Sequence, residues 1–237
     1  ASDVYKRQIE DRFYKELEFG TGGLRGIMGA GTNRLNKYTV GKVTLGLGHY
    51  LMDSYGKYEC IERGVVIGFD TRNNSKEYAR VVADILTGLG LKVYLMKDAR
   101  PTPQLSFSVP YYKALAGVVL TASHNSKEYN GYKVYDEYGC QLVPGQADRV
   151  IQYVNEVKDY HSIDFEGNDT LNQKVQKTSQ KEAKRMTAAV YELADFIPCT
   201  PKDDSVTGIY GALRQAGSSD DEPYYNIYKI QEVFLSL

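Results

Sequence analysis

The feature that most constrains the fold of this chain is a set of short β-branched runs separated by amphipathic helical patterns. Residues 64–69 and 116–121 are valine-rich apolar runs, which are typical of strands buried on both faces. Between them, residues 78–89 carry apolar side chains at helical spacing and end at Gly90. Further strands are predicted at 91–96 and 132–135, and further helices at 9–17, at 40–51 and from Pro101. Alternating strands and helices predict an α/β fold with a mixed, largely parallel sheet flanked by helices.

The pattern weakens in the second half of the chain. An amphipathic helix is predicted at 150–157, and a polar stretch and another helix follow at 167–180 and 180–196. We interpret residues 1–160 as a first domain and residues 161–237 as a linker with an incomplete second domain.

Composition excludes several classes of protein. The 237 residues contain 29 basic and 30 acidic side chains, so no global charge attracts nucleic acid or an anionic membrane. No apolar run approaches the roughly 20 residues of a membrane span. The three cysteines are far apart and lack metal-ligand spacing, which favours a reducing, cytoplasmic location. Composition leaves the oligomeric state open.

The strongest chemical signal is the run Thr121–Asn125, directly after a predicted strand. Ligands of open α/β sheets bind beyond the carboxyl ends of strands, and Ser123 falls there. A serine nucleophile needs a base or a metal. Because no GxSxG elbow surrounds Ser123 and the chain has only three histidines, a hydrolase triad is a weak interpretation.

Phosphoryl transfer makes different demands, namely positive charge and a proton acceptor. Arg25, Lys127 and Lys133 can supply the charge, and His124 or Lys133 can handle the proton. If residues 132–135 form a strand, Lys133 and Tyr135 share one of its faces and can point toward the crevice.

Three segments carry a family resemblance. They are Phe19–Gly26 with Arg25, the G-x-D-T-R run Gly68–Arg72, and Thr121–Tyr135 with Ser123. In this order and spacing, over about residues 10–160, they resemble the α-D-phosphohexomutases of the phosphoglucomutase/phosphomannomutase type. The residue sequences of the first and third segments are similar to those of the phosphoglucomutase/phosphopentomutase-like branch.

The resemblance implies a catalytic serine that carries a phosphoryl group, at Ser123. It implies that this serine gives the phosphoryl group to a hexose phosphate, that its phosphate also binds Mg²⁺, and that Arg25 and Lys133 flank it. Lys133 or His124 would assist the proton. The expected reaction moves phosphate between C1 and C6, as from glucose 1-phosphate to glucose 6-phosphate, through a bisphosphorylated sugar.

The chain departs from the family pattern in two ways. Ser126 stands where the family usually has proline, which would fix φ. No Asp-x-Asp-x-Asp-Arg run, the family's source of metal carboxylates, occurs in the sequence. We therefore expect the chain to cover the first of four domains and part of the second, and to show negligible turnover alone.

Other interpretations remain open. The same crevice could belong to a non-catalytic domain that binds a phosphorylated ligand or a protein partner. Asp70 and Arg72 could simply pair with each other or cap the next helix, and Lys133 could be an edge-strand charge that discourages aggregation.

Overall fold

The computed structural model describes residues 2–20 and 23–168. The chain divides into two units, Ala1–Thr178 and Ser179–Leu237, and all described residues belong to the first. The helix predicted at 180–196 and the proposed second domain therefore lie outside the described residues. In the part of the chain that is described, no helix is both long enough and apolar enough to cross a membrane.

The described residues form six strands, five α-helices and one short 3₁₀ turn. The strands are β1 (Phe19–Gly20), β2 (Gly23–Ile27), β3 (Val65–Phe69), β4 (Val93–Leu95), β5 (Ala116–Leu120) and β6 (Tyr129–Tyr135). The helices are α1 (Ser2–Phe13), α2 (Lys37–Glu62), α3 (Ser75–Gly88), α4 (Thr102–Tyr111) and α5 (Pro144–Glu156), with the 3₁₀ turn at Tyr160–Ser162. The predicted α/β class is confirmed.

One mixed sheet joins all six strands in the order β1-β2-β6-β5-β3-β4. β3 pairs in parallel with both β4 and β5, whereas β6 is antiparallel to β5 and β2. Consequently β2, β3, β4 and β5 all run in one direction. Their carboxyl ends meet at one edge of the sheet, together with the beginning of β6.

Helices cover both faces of the sheet. Alternate strand residues such as Val65 and Ile67 point to the face covered by α2, α3 and α5. Val66 and Val119 point to the other face, where they pack against Leu105 and Val109 of α4. This burial on both sides explains the continuous apolar runs of β3 and β5.

The sequence patterns misplaced two details near the amino terminus. The apolar spacing at 9–17 predicted one helix, but α1 ends at Phe13 and its apolar side chains Tyr5, Ile9 and Phe13 are exposed. The glycine-rich segment Phe19–Gly26, which the pattern treated as a break, supplies β1 and most of β2. Glycine is depleted from strands, so local propensity gave no strand signal here.

Candidate active site

The loop that follows β5 places Ser123 at the carboxyl edge of the parallel strands. Ser123 and His124 are both exposed to solvent. Ser123 adopts a left-handed backbone with φ of 58°, which costs a non-glycine residue about 1 kcal/mol or more. Its amide donates to the Thr121 hydroxyl at 3.0 Å. The serine that the sequence singled out therefore stands on a strained turn that faces solvent.

Arg25 reaches the same loop from β2. Arg25 lies opposite Gly131 in the β2–β6 ladder, and its side chain is exposed. One Nη atom of Arg25 donates to Asn125 Oδ1 at 3.0 Å. The hydrogen bond brings together two predicted segments that are a hundred residues apart in the chain. Asn125 belongs to the predicted run Thr121–Asn125, but the residue pattern assigned it no role of its own.

Lys133 lies on β6 opposite Val119 of β5. Because Lys133 is two residues beyond Gly131, its side chain shares a sheet face with Arg25. Partial burial lowers the pKa of the Lys133 ammonium group, the Arg25 guanidinium lowers it further, and Asp70 opposes the change. Two cations thus lie on the same face of the sheet, on strands that contribute to the edge at which Ser123 stands.

The remaining predicted cation, Lys127, is an exposed loop residue. Together, Arg25, Ser123, His124 and Lys133 are contributed by β2, the β5–β6 loop and β6. These elements supply a hydroxyl, an imidazole beside it in the chain, and two cations on the adjoining strands, of which Arg25 contacts the serine loop through Asn125. This combination suits a dianionic phosphate ester more than it suits hydrolysis by a buried triad.

Asp70 and Arg72 do pair, as one interpretation of the G-x-D-T-R segment proposed. Arg72 Nε lies 3.4 Å from Asp70 Oδ2, and Asp70 Oδ1 accepts hydrogen bonds from the Arg72 amide and from Ser75 Oγ. The Nη atoms of Arg72, however, turn toward carbonyls of the Ser123 loop. Sequence reasoning missed this contact, although Arg72 follows the end of a strand next to β5.

An open crevice of about 460 Å³ adjoins this edge. It is lined by the end of β3 and the beginning of α3, and includes Asp70, Arg72 and Lys76. A crevice beyond the carboxyl ends of parallel strands is where open α/β sheets bind ligands. Charges of both signs line it, and Ser123, Arg25 and Lys133 are not among its lining residues.

The fit of a metal ion can be judged from the available ligands. Among the described residues, no group of three or more His, Cys, Asp or Glu side chains could hold a metal ion. The nearby carboxylate of Asp70 is already bonded to Arg72 and Ser75. The described part of the chain therefore offers the Ser123 oxygen that the resemblance assigned, but not the carboxylates that Mg²⁺ prefers.

Comparison with protein families gives one match over most of the described residues. The model for "Phosphoglucomutase/phosphomannomutase, alpha/beta/alpha domain I" matches residues 16–161. Ser123, Arg25 and Lys133 all lie inside the matched segment.

Two similar curated proteins are staphylococcal phosphoglucomutases. That of Staphylococcus epidermidis (strain ATCC 12228) is 45% identical over 161 residues, covering 66% of this chain and 29% of the relative. That of Staphylococcus haemolyticus (strain JCSC1435) is 37% identical over 208 residues, covering 88% of this chain and 36% of the relative. The chain thus spans about a third of the length of these relatives.

Two solved structures share the fold. One is a protein assigned as a phosphomannomutase from Thermus thermophilus, with a TM-score of 0.60 and 30% identity over 77% of this chain and 36% of that one. The other is the phosphoglucomutase parafusin from Paramecium, with a TM-score of 0.55 and 18% identity over 77% of this chain and 36% of that one. The second likeness shows the fold alone.

Proposed function

This chain belongs to the phosphoglucomutase/phosphomannomutase family, and from that premise we propose that it carries the phosphoserine end of a phosphosugar mutase active site. The observation that supports the proposal most directly is the position of Ser123. Its exposed turn follows β5, and the cations Arg25 and Lys133 project from the two strands next in order along the sheet. The first domain of the mutase would span residues 1–160, as the sequence predicts.

In the proposed reaction, the Ser123 phosphate ester gives its phosphoryl group to a hydroxyl of a hexose phosphate. The bond between phosphorus and Ser123 Oγ breaks, and a bond between phosphorus and the sugar oxygen forms. The proton of the attacking hydroxyl passes to Oγ, with Lys133 or His124 assisting. The bisphosphorylated sugar then returns its other phosphate to Ser123, so that C1 and C6 phosphates interchange.

The protein contributes charge and geometry to this transfer. Arg25 and Lys133 stabilise negative charge on the phosphoryl oxygens, which is the main requirement of a loose phosphoryl-transfer transition state. The lowered pKa of Lys133 brings its ammonium group closer to proton exchange near neutral pH. We keep glucose 1-phosphate and glucose 6-phosphate as the proposed substrate pair.

Mg²⁺ belongs to the proposal as a cofactor that would neutralise charge on the transferring group. On this chain its proposed ligand is an oxygen of the Ser123 phosphate. Since no Asp-x-Asp-x-Asp-Arg run occurs in the sequence, we expect the chain alone to show negligible turnover in a continuous glucose 1-phosphate assay. Turnover at ordinary enzymatic rates would contradict that expectation.

The direct test is phosphorylation of Ser123. We expect incubation with glucose 1,6-bisphosphate and Mg²⁺ to add one phosphate to the intact mass, and peptide mapping to place it on Ser123. Ser123→Ala should abolish the gain, whereas Ser126→Ala, a nearby loop serine, should retain it. An unchanged mass for the wild-type chain and for a longer version that includes the metal carboxylates would favour the non-catalytic binding domain.

A further inference from the structure

Arg72 binds the serine loop almost entirely through main-chain atoms. One of its Nη atoms donates to the carbonyls of Ser123 and Asn125, each at 2.7 Å. The other donates to the carbonyls of Ser126 at 2.9 Å and Tyr129 at 3.2 Å. A single side chain from the end of β3 therefore connects both ends of the turn that carries Ser123.

A chain of polar contacts holds Arg72 in that position. Arg72 Nε faces Asp70 at 3.4 Å, and Asp70 in turn accepts from Ser75 Oγ at 2.7 Å. Ser75 Oγ accepts from the side-chain amide of Asn130 at 2.8 Å. Asn130 is fully buried and its Oδ1 accepts from the Gly131 amide at 2.8 Å. These contacts thus connect the Arg72 guanidinium to a side chain that is buried in the interior of the sheet.

Loop carbonyls and Asp70 occupy the guanidinium of Arg72. A guanidinium has five N–H donors in a fixed fork; here the two Nη atoms donate to four loop carbonyls, and Nε lies 3.4 Å from Asp70 Oδ2 as an ion pair. A phosphate could be bound by Arg72 only if loop contacts were released. Arg25 and Lys133, by comparison, contact none of these four carbonyls.

A lysine could not reproduce this arrangement. Its ammonium group is one compact charge with three donors, so it cannot contact four carbonyls spread along a turn. The left-handed φ of Ser123 also needs support, because a strained backbone persists only where its surroundings fix it.

We propose that Arg72 is a positioning residue, which fixes the backbone of Ser123 so that its hydroxyl meets the incoming phosphoryl group, and that it is not itself a phosphate ligand. The proposal rests on the function proposed above. It divides the arginines of the site into two roles: Arg25 acts on the phosphate and Arg72 acts on the loop.

The experiment compares Arg72→Lys with Arg63→Lys. Arg63 is a matched control because it also donates to main-chain carbonyls, those of Lys113 at 2.8 Å and Ala114 at 3.4 Å, but at the opposite edge of the sheet. Three quantities are measured: the thermal midpoint, amide hydrogen exchange in residues 121–129, and the rate of Ser123 phosphorylation as a function of glucose 1,6-bisphosphate concentration.

For Arg72→Lys we expect the maximum phosphorylation rate to fall about tenfold or more, because a small misplacement of a reacting group has effects of this size. The half-saturating concentration should stay unchanged, and exchange in the loop should accelerate about tenfold. Arg63→Lys should lower the thermal midpoint about as much as Arg72→Lys does. It should leave amide exchange in residues 121–129 and the rate of Ser123 phosphorylation unchanged.

The proposal is overturned if Arg72→Lys is phosphorylated at the wild-type rate, or if only its half-saturating concentration rises, which would make Arg72 a phosphate ligand. If Arg72→Lys does not fold, Asp70→Asn provides the same comparison, since it weakens the anchor of Arg72 while the guanidinium remains. Failure of the wild-type chain to gain phosphate would count against the proposed function alone. The exchange comparison would still decide the role of Arg72, since equal loop exchange in the two arginine variants contradicts it.

Discussion

A similar arginine contact occurs at both edges of the sheet, at the carboxyl ends of the parallel strands and at their amino ends. At each edge an arginine donates to the carbonyl of a residue with a left-handed backbone: Arg72 to Ser123, with φ of 58°, and Arg63 to Lys113, with φ of 54°. These contacts are 2.7 and 2.8 Å long. In both places a strained turn is held by a planar cation.

The edges differ in what balances the charge. Arg63, at the edge away from Ser123, lies 2.7 Å from Glu137 and 3.7 Å from Glu59, so two carboxylates balance its charge. At the Ser123 edge, Asp70 faces Arg72. Within the described residues, neither Arg25 nor Lys133 forms an ion pair with a carboxylate. An arginine that donates to carbonyls can therefore hold a turn at either edge, whereas the unbalanced cations distinguish the edge at which we propose that an anion binds.

The largest expected effect tests whether both edges depend equally on close backbone approach. A Cβ at Gly131 would lie 2.6 Å from the Thr121 carbonyl oxygen, and a Cβ at Gly139 would lie 2.2 Å from that of Ser106. We expect Gly131→Ala and Gly139→Ala each to lower the free energy of unfolding by about 3 kcal/mol. Urea denaturation measures the change.

Gly145→Ala is the control for this pair, because a Cβ there meets nothing within 4 Å. It should change the free energy of unfolding by less than about 0.5 kcal/mol. A neutral result for Gly131→Ala would show that the Ser123 edge can yield where the other edge cannot, and would break the parallel between them.

A smaller effect tests the strain itself. Glycine adopts a left-handed backbone without steric cost, so Ser123→Gly and Lys113→Gly should each raise the free energy of unfolding by about 0.5–1 kcal/mol. Lys113→Gly should leave phosphorylation of Ser123 unchanged, whereas Ser123→Gly has no hydroxyl to phosphorylate. Urea denaturation measures the change in stability, and the intact mass measures the phosphorylation of Ser123.

If Ser123→Gly is instead destabilising, the hydroxyl contributes more to the fold than its backbone strain costs. The serine would then be retained for structure as well as chemistry, and the contrast between the two edges would weaken.

How far the sequence predicted this molecule depends on the range of the interactions involved. The strands at Val65–Phe69 and Ala116–Leu120 and the helix at Ser75–Gly88 were predicted because valine runs and helical spacing are local signals. Once those strands were placed, the position of Ser123 at their carboxyl edge followed from topology alone.

Other features depend on contacts that the sequence does not display. The strand at Gly23–Ile27 starts at a glycine where a Cβ would lie 2.1 Å from the Tyr132 carbonyl oxygen, and only the partner strand makes that glycine necessary. Arg72 and Ser123 are 51 residues apart, and the residue pattern offered the nearer carboxylate of Asp70 as partner. Hydrogen bonds to main-chain atoms leave no trace in side-chain spacing, so this part of the site could not be predicted from the residue pattern.

The smallest expected effect concerns the unbalanced cations. Partial burial and the nearby Arg25 lower the pKa of Lys133, so its charged form is less favourable in the folded chain than in the unfolded one. Stability should therefore rise as pH increases through the folded pKa toward the ordinary value of 10.5. Lys133→Met removes this contribution and should raise the free energy of unfolding near neutral pH by about 0.5 kcal/mol or less.

Lys127→Met is the control, since Lys127 is exposed on the same loop. Urea denaturation of both variants, with and without inorganic phosphate, separates the two kinds of charge. If Lys133 serves to bind an anion and does not stabilise the fold, phosphate should stabilise the wild-type chain more than Lys133→Met. The wild type, less stable than the variant without phosphate, should then be the more stable of the two. A loss of stability in Lys133→Met without phosphate would mean that Lys133 already has a stabilising partner, and the edge that holds Ser123 would be as well balanced as the opposite one.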